Sequence, residues 1–274
     1  MTPSRTFDAS KPAIPFTATL VSEWAKLVMV RSTWFTLALS LFVSTGITAL
    51  LSWATGWSWN DWSASDQAEF DPILNSLAGS MFGAILFVVL SGNLVATEYA
   101  SGMIRQTMTV TPRRGRVLLA KVLVVSAVAI VAGIIVNVAT FLVGQAVFAA
   151  FDVPTASLSD GDAFRSVVLG MAVTSPVLPI LGICTAFLFR SAAIAITGVL
   201  AIIFMPSFFG PLIPQRWQED VLAFLPGNAS NSIATGNLSD SSMYLDPSLA
   251  AVVLAVWMVV FIGGTHIMLN LRDV

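Results

Sequence analysis

Residues Val117–Phe151 read VLLAKVLVVSAVAIVAGIIVNVATFLVGQAVFAAF, a run of 35 residues that is apolar almost throughout. As an α-helix at ~1.5 Å per residue it reaches roughly 50 Å. The hydrocarbon core of a bilayer is only about 30 Å thick. A helix this long must tilt strongly or project beyond the bilayer. Five further apolar blocks surround it, near 35–54, 73–97, 166–189, 192–212 and 248–269. Backbone groups in lipid must be satisfied within the segment, so these blocks are expected to be helices. A β-barrel would instead show alternating segments of about ten residues. Pro176 and Pro179 predict a kink or break in the fourth block.

The composition agrees. Of 274 residues, 56% are hydrophobic and only 10% charged, against roughly a quarter charged in an ordinary soluble domain. Mean hydropathy is +0.85. Such a chain cannot cover itself with polar surface. A single cysteine, Cys184, excludes an intramolecular disulfide and a cysteine-based metal cluster. A net charge of −2 gives nucleic-acid binding no support. Residues 1–19 lack an apolar signal-peptide core and carry Pro3, Pro12 and Pro15, so the first block is expected to stay in the mature protein.

The scarce charges give an orientation. With the N-terminus inside, 11 of the 13 Lys and Arg residues face the cytoplasm, and only Arg165 and Arg216 lie outside. That bias predicts cytoplasmic N- and C-termini. Most acidic residues, from Asp61 to Asp246, fall outside. Trp53, Trp57, Trp59 and Trp62 mark one interface, and Trp24 and Trp34 the other. Before the first span, Leu20, Trp24, Leu27 and Val28 form one helical stripe, predicting an amphipathic helix on the inner leaflet. The expected fold is therefore an all-α polytopic membrane protein. Residues 1–33 form a cytoplasmic segment with the interface helix, and residues 34–271 form a six-helix transmembrane domain. Between the last two blocks, the partly apolar Arg216–Leu225 is expected to dip back into the outer leaflet as short re-entrant helices.

Catalytic signatures are absent. There is no G-x-x-x-x-G-K-[ST], no H-E-x-x-H and no G-x-S-x-G. The only histidine, His266, has no partner carboxylate in its span, which leaves an intramembrane enzyme little support. The spans offer weak polar groups, among them Asn93, Asn137 and Thr140. The last two share a helix face and either line a pathway or hydrogen-bond between helices. Spans without ion-coupling groups suggest energy drawn from a partner. The inner segment Thr97–Lys121 holds a short helical stretch before Pro112, followed by Arg113, Arg114 and Arg116. Topology accounts for the arginines. It does not account for Glu98, Gly102 or the apolar Met103, Ile104 and Met108, which suggest a docked soluble subunit.

These segments resemble the permease subunits of ABC-2-type ABC transporters, especially actinobacterial ones. The likeness rests on Ser22–Leu27 with Arg31–Trp34, on Thr97-Glu98-Tyr99 with Gly102–Arg105, on Pro112-Arg113-Arg114 with Ala120-Lys121, on Phe189-Arg190-Ser191, and on Leu225–Ala229. It implies an exporter in a bacterial plasma membrane. Two permease chains, identical or different, pair there with two cytosolic ATPase subunits that hold the ATP and Mg, while this chain binds no cofactor itself. It implies a coupling helix over Glu98–Arg105 and an interface helix over Glu23–Arg31. The ATPase-facing set would be Glu23, Lys26, Arg31, Glu98, Tyr99, Gly102, Arg105, Arg113 and Arg114. The pathway would run between the two permeases, facing spans two and five. Bacterial members export mostly drugs, antibiotics, peptides, lipids or polysaccharides. An ATPase-bound sensor or resistance scaffold that moves nothing is the alternative.

Overall fold

A computed structural model describes residues 15–110, 113–209, 212, 214–235 and 243–271. The first 14 residues of the expected cytoplasmic segment, with Arg5 and Lys11, lie outside the described residues, as do Arg272 and the sequence just past Phe209. The described residues are helical, with no strand among them. Five helical runs are long and apolar enough to cross a membrane: Arg31–Asp61, Ser80–Ala100, Arg114–Ala150, Gly161–Phe189 and Pro247–Leu271. The fifth of the six expected spans is helix α11, Ala192–Phe209. At 18 residues it reaches about 27 Å, just under the thickness of the hydrocarbon core.

Helix α1 (Phe16–Met29) ends at Val30, whose extended backbone also starts α2 (Arg31–Ser58). The Trp34 indole donates to the Val28 carbonyl at 2.9 Å, satisfying an acceptor that the end of α1 leaves open. Of the expected stripe, Leu27 is buried and Leu20 and Val28 pack against the same core, and only Trp24 turns away. Thr19, Glu23 and Leu27 are buried, while Trp24 is half exposed. The reason is electrostatic: Glu23 turns inward to find its counter-ions, which rotates the indole outward.

Beyond α2, Ser63 caps α3 (Ala64–Ala68) by accepting from the Asp66 amide. Asp71 caps α4 (Pro72–Ser76) by accepting from the Ile73 and Leu74 amides, with Pro72 at the first helical position. The apolar block expected over 73–97 is thus two helices, since α5 (Ser80–Ala100) starts only after Gly79. The Gly79 amide donates to Thr48 Oγ1 of α2 at 3.0 Å rather than continuing α4. A short helix, α6 (Met103–Val110), leads to α7 (Arg114–Ala150), the longest element. At the end of α7, Asp152 adopts φ 57° and the Val153 amide reaches back to the Phe148 carbonyl at 3.1 Å, a Schellman-type stop.

The Gly161–Phe189 run is not a uniform helix. It comprises α8 (Gly161–Phe164), a π-helical turn (Arg165–Gly170), α9 (Met171–Thr174), an interruption at Ser175–Pro176, and α10 (Val177–Phe189). The short helices before the last span are α12 (Gln215–Asp220) and α13 (Pro226–Thr235), with a 3₁₀ turn at Leu222–Phe224 between them. The Trp257 indole donates to the Phe224 carbonyl at 2.8 Å. Trp257 lies ten residues into α14 (Pro247–Leu271), about 15 Å along its axis. The 3₁₀ turn therefore sits well down the side of the last helix.

Apolar burial drives little helix association in lipid, so close approach must do more of the work. Ser40, Ser44, Thr48, Ser52 and Gly56 recur every fourth residue along the buried face of α2. Against that face lie α5 and α7. A Cβ on Gly79 would collide with the Ser44 carbonyl, and one on Gly83 would meet the Ser44 and Ser40 hydroxyls. The contact between α2 and the start of α5 thus requires these glycines. Gly79→Ala should lower the thermal midpoint in detergent by several degrees, since such overpacking costs about 1–3 kcal/mol. Gly198→Ala, with nothing within 4 Å, should leave the midpoint unchanged in the same melts.

Candidate functional site

Two carboxylates and two ammonium groups meet at the end of the bundle formed by α1, the C-terminus of α5, α6 and the N-terminus of α7. Glu23 and Lys26 come from α1, one turn apart. Glu98 comes from the last turn of α5, and Lys121 from the second turn of α7. Lys121 Nζ donates to Glu23 Oε2 at 2.6 Å and to Glu98 Oε1 at 2.9 Å. Lys26 Nζ donates to Glu23 Oε1 at 2.7 Å, to Glu98 Oε1 at 3.1 Å, and more weakly to Thr107 Oγ1 of α6 at 3.4 Å. Relative exposure is 3% for Glu23, 6% for Glu98 and 4% for Lys121. Charges this deep persist only because each is paired.

Burial pushes the Glu23 carboxyl upward, but the Lys121 and Lys26 ammonium groups outweigh it and hold the carboxyl below its ordinary value. Burial pushes Lys26 downward, and Glu23 and Glu98 outweigh it and raise it. The Glu23 contribution is fully present above its ordinary value of 4.5 and is lost as pH falls through its depressed folded value. The Lys26 contribution is present below 10.5 and is lost as pH rises through its raised value. Both contributions are thus present across the whole neutral range.

Gly102 sets the direction of α6. Its φ of +71° is left-handed, and its amide donates to the Tyr99 carbonyl as α5 ends. Glycine adopts this backbone without a Cβ clash. The turn lays α6 back on the chain, so Ile104 and Met108 are buried against Leu27, Val117 and Val122. This corrects the expectation that the apolar side chains of α6 await a docked subunit: Ile104 and Met108 already pack on their own chain. The outward face of α6 carries Met103, Arg105, Gln106 and Thr109.

The other sequence-predicted residues fall into distinct places. Arg31 and Arg113 are exposed at the starts of α2 and α7. Arg114 Nη1 donates to the Leu269 carbonyl at 2.6 Å, joining α7 to the C-terminal end of α14. Tyr99 lies edge-on to Phe187, 6.2 Å between centroids, with the Arg190 guanidinium 5.5 Å from its ring. Arg190 itself has φ 55°, ending α10 in a left-handed turn. The His266 ring packs so closely on Gly115 that a Cβ there would collide with it.

Asn93 is exposed on α5. Asn137 and Thr140 are buried. Asn137 accepts from Ser80 Oγ at 2.6 Å and donates to the Val167 carbonyl of the π-helical turn at 3.0 Å. Thr140 donates back to the Val136 carbonyl of its own helix. Within this chain both side chains are engaged in helix contacts. Lys121 and Thr107 are the site members that sequence reasoning missed. The available signal was Lys121 itself, a cation five residues inside an apolar run, which needs a counter-ion.

Removing one partner from a buried ion cluster costs about 3–5 kcal/mol. Lys121→Met should therefore lower the melting midpoint sharply at pH 7, and Glu23→Leu combined with Lys121→Met should be less damaging than either change alone. Native-chain melts should lose stability below pH 4.5 and above 10.5. Equal melting of Lys121→Met and the native chain would contradict the pairing.

The family model described as ABC-2 family transporter protein matches residues 19–207, more than two-thirds of the chain. The match begins inside α1 and ends inside α11, so it takes in all four charged residues of the cluster. No curated protein matches the chain. Permeases of this family typically pair with an ATPase subunit. With several long apolar helices and this family match, the chain belongs to the ABC-2 family of transporter proteins, as a multi-pass membrane permease of an ABC transporter.

Proposed function

We propose that the chain is the membrane-spanning subunit of an ATP-driven exporter in a bacterial plasma membrane. In this reading the end carrying the ion cluster is cytoplasmic. It meets one of two ATPase subunits, on which ATP and Mg reside, and a second permease chain completes the pathway. Positive charge supports that orientation: Lys26, Arg31, Arg105, Arg113, Arg114, Arg116, Lys121 and Arg190 all belong to elements that meet at this end. Asp61, Asp66, Glu69, Asp71, Asp160, Asp162 and Asp246 belong to the opposite end.

The single observation that carries the reading is the construction of α6. The helix is joined to α5 by one left-handed glycine, buries Ile104 and Met108 in the chain, and touches the buried ion cluster through Thr107. Its exposed residues are free to meet a soluble partner. A push on α6 then passes to α5 through Gly102, and to α1 and α7 through the cluster, rather than dissipating in a loose loop. Glu23 and Glu98 act in this scheme as positioning residues, and Arg105, Arg31 and Arg113 as the contact surface. Cargo passes between the paired permeases, beside α5 and α11.

Reconstitution with the cognate ATPase in vesicles tests this. Gly102→Val forces a β-branched residue into a left-handed backbone. It should leave ATP hydrolysis in place while flux falls at least about tenfold, the equivalent of ~1.4 kcal/mol of lost coupling. ATP-independent flux by the purified chain would refute the proposal, as would hydrolysis with no flux from the native assembly.

A further inference from the structure

A cleft of about 400 Å³ opens between the second half of α1, the end of α5 and the start of α7. Leu27, Val30, Leu94 and Val124 give it apolar walls, and all four charged residues of the cluster line it as well. Two polar capacities remain there. Glu98 Oε2 is buried and has no hydrogen-bond partner. Lys26 is the most exposed member, with 21% of its side chain accessible, and its contact to Thr107 is its longest. At 3.4 Å that third bond is long enough for its N–H to be shared with a second acceptor in the cleft. Glu98 is among the residues that line the cleft, with its Oε1 held by both ammonium groups and its Oε2 still open.

The cluster is electrically neutral, with two carboxylates and two ammonium groups. A guest carrying one net charge would leave that charge uncompensated in a poorly solvated place. A zwitterion would not. Exposed Trp24, Met29 and Trp34 surround the elbow beside the cleft, and indoles favour the headgroup level of a bilayer. An apolar wall, a free carboxylate oxygen and an accessible ammonium at that level match one kind of amphiphile.

We propose that this cleft binds a zwitterionic phospholipid bearing a primary ammonium, as in phosphatidylethanolamine. Its phosphate meets Lys26, its ammonium donates to Glu98, and an acyl chain runs along Leu94 and Val124. Phosphatidylcholine offers no N–H to Glu98. Phosphatidylglycerol satisfies Lys26 alone and adds a net negative charge.

The test uses the purified chain in detergent with no ATPase present, so its outcome is independent of the transport reading. Equal amounts of the three lipids, with matched acyl chains, compete for retention, and native mass spectrometry reads the bound ratio. Phosphatidylethanolamine should be favoured over phosphatidylcholine at least about tenfold, equivalent to ~1.4 kcal/mol. Glu98→Gln should bring that ratio near unity. Because the ratio is read within one folded population, a low yield of the variant does not imitate the effect. Met103→Trp, a change at an exposed cleft residue that touches no charge in the cluster, should reduce retention of all three lipids. Equal retention of the two zwitterions by the native chain would overturn the proposal. A preference for phosphatidylglycerol would do the same, as would an unchanged ratio in Glu98→Gln or full retention in Met103→Trp.

Discussion

Lys121 lies two turns inside α7, in the apolar stretch that follows Arg114 and Arg116, and on Lys121 the arrangement of its end of the molecule depends. An ammonium buried at that depth is costly unless carboxylates stand within hydrogen-bond reach. Glu23 and Glu98 supply them, at 2.6 and 2.9 Å. Meeting that requirement fixes the rotation of α1, because Glu23 must face inward. It fixes where α5 ends relative to α7, because Glu98 must arrive at the same point. Lys26 then balances the second carboxylate and reaches α6 through Thr107. One electrostatic constraint thereby fixes α1, α5 and α7 against one another and touches α6.

The opposite end is held by different means. There α2, α4, α5 and α7 approach closely through serine, threonine and glycine, and an aromatic group of Trp59, Trp62, Phe70 and Phe148 closes the end. Buried amides make the remaining links. Gln145 donates to the Pro72 carbonyl and accepts from the Ala156 amide, and Asn137 bridges Ser80 and Val167. In lipid these short-range contacts matter more than apolar burial, which gains little over lipid contact. One end is therefore tied by charge and the other by close packing.

Much of this was legible in the sequence. Long apolar runs fixed the helical class, because lipid leaves the backbone no alternative. Pro176 marked the interruption before α10, and the helical stretch expected before Pro112 is α6. The remainder depended on tertiary contacts. Ile73–Thr97 reads as one apolar block, yet it divides at Gly79 because a hydroxyl 31 residues away takes that amide. Met103, Ile104 and Met108 look alike in sequence, but only the fold shows that two of them pack on their own chain. Lys121 reads as one more basic residue near a span end. Its partners stand 98 and 23 positions away, and no local pattern connects them.

Under the proposed coupling, the cluster makes α6 and α7 move as one body. Spin labels on exposed Gln106 of α6 and exposed Leu119 of α7, in the chain assembled with its ATPase, measure it directly by pulsed dipolar spectroscopy. The distance between them should be the same without nucleotide, with ATP bound and after hydrolysis, and should broaden with nucleotide only when Lys121→Met breaks the cluster. A native-chain distance that shifts with the nucleotide state would contradict the account.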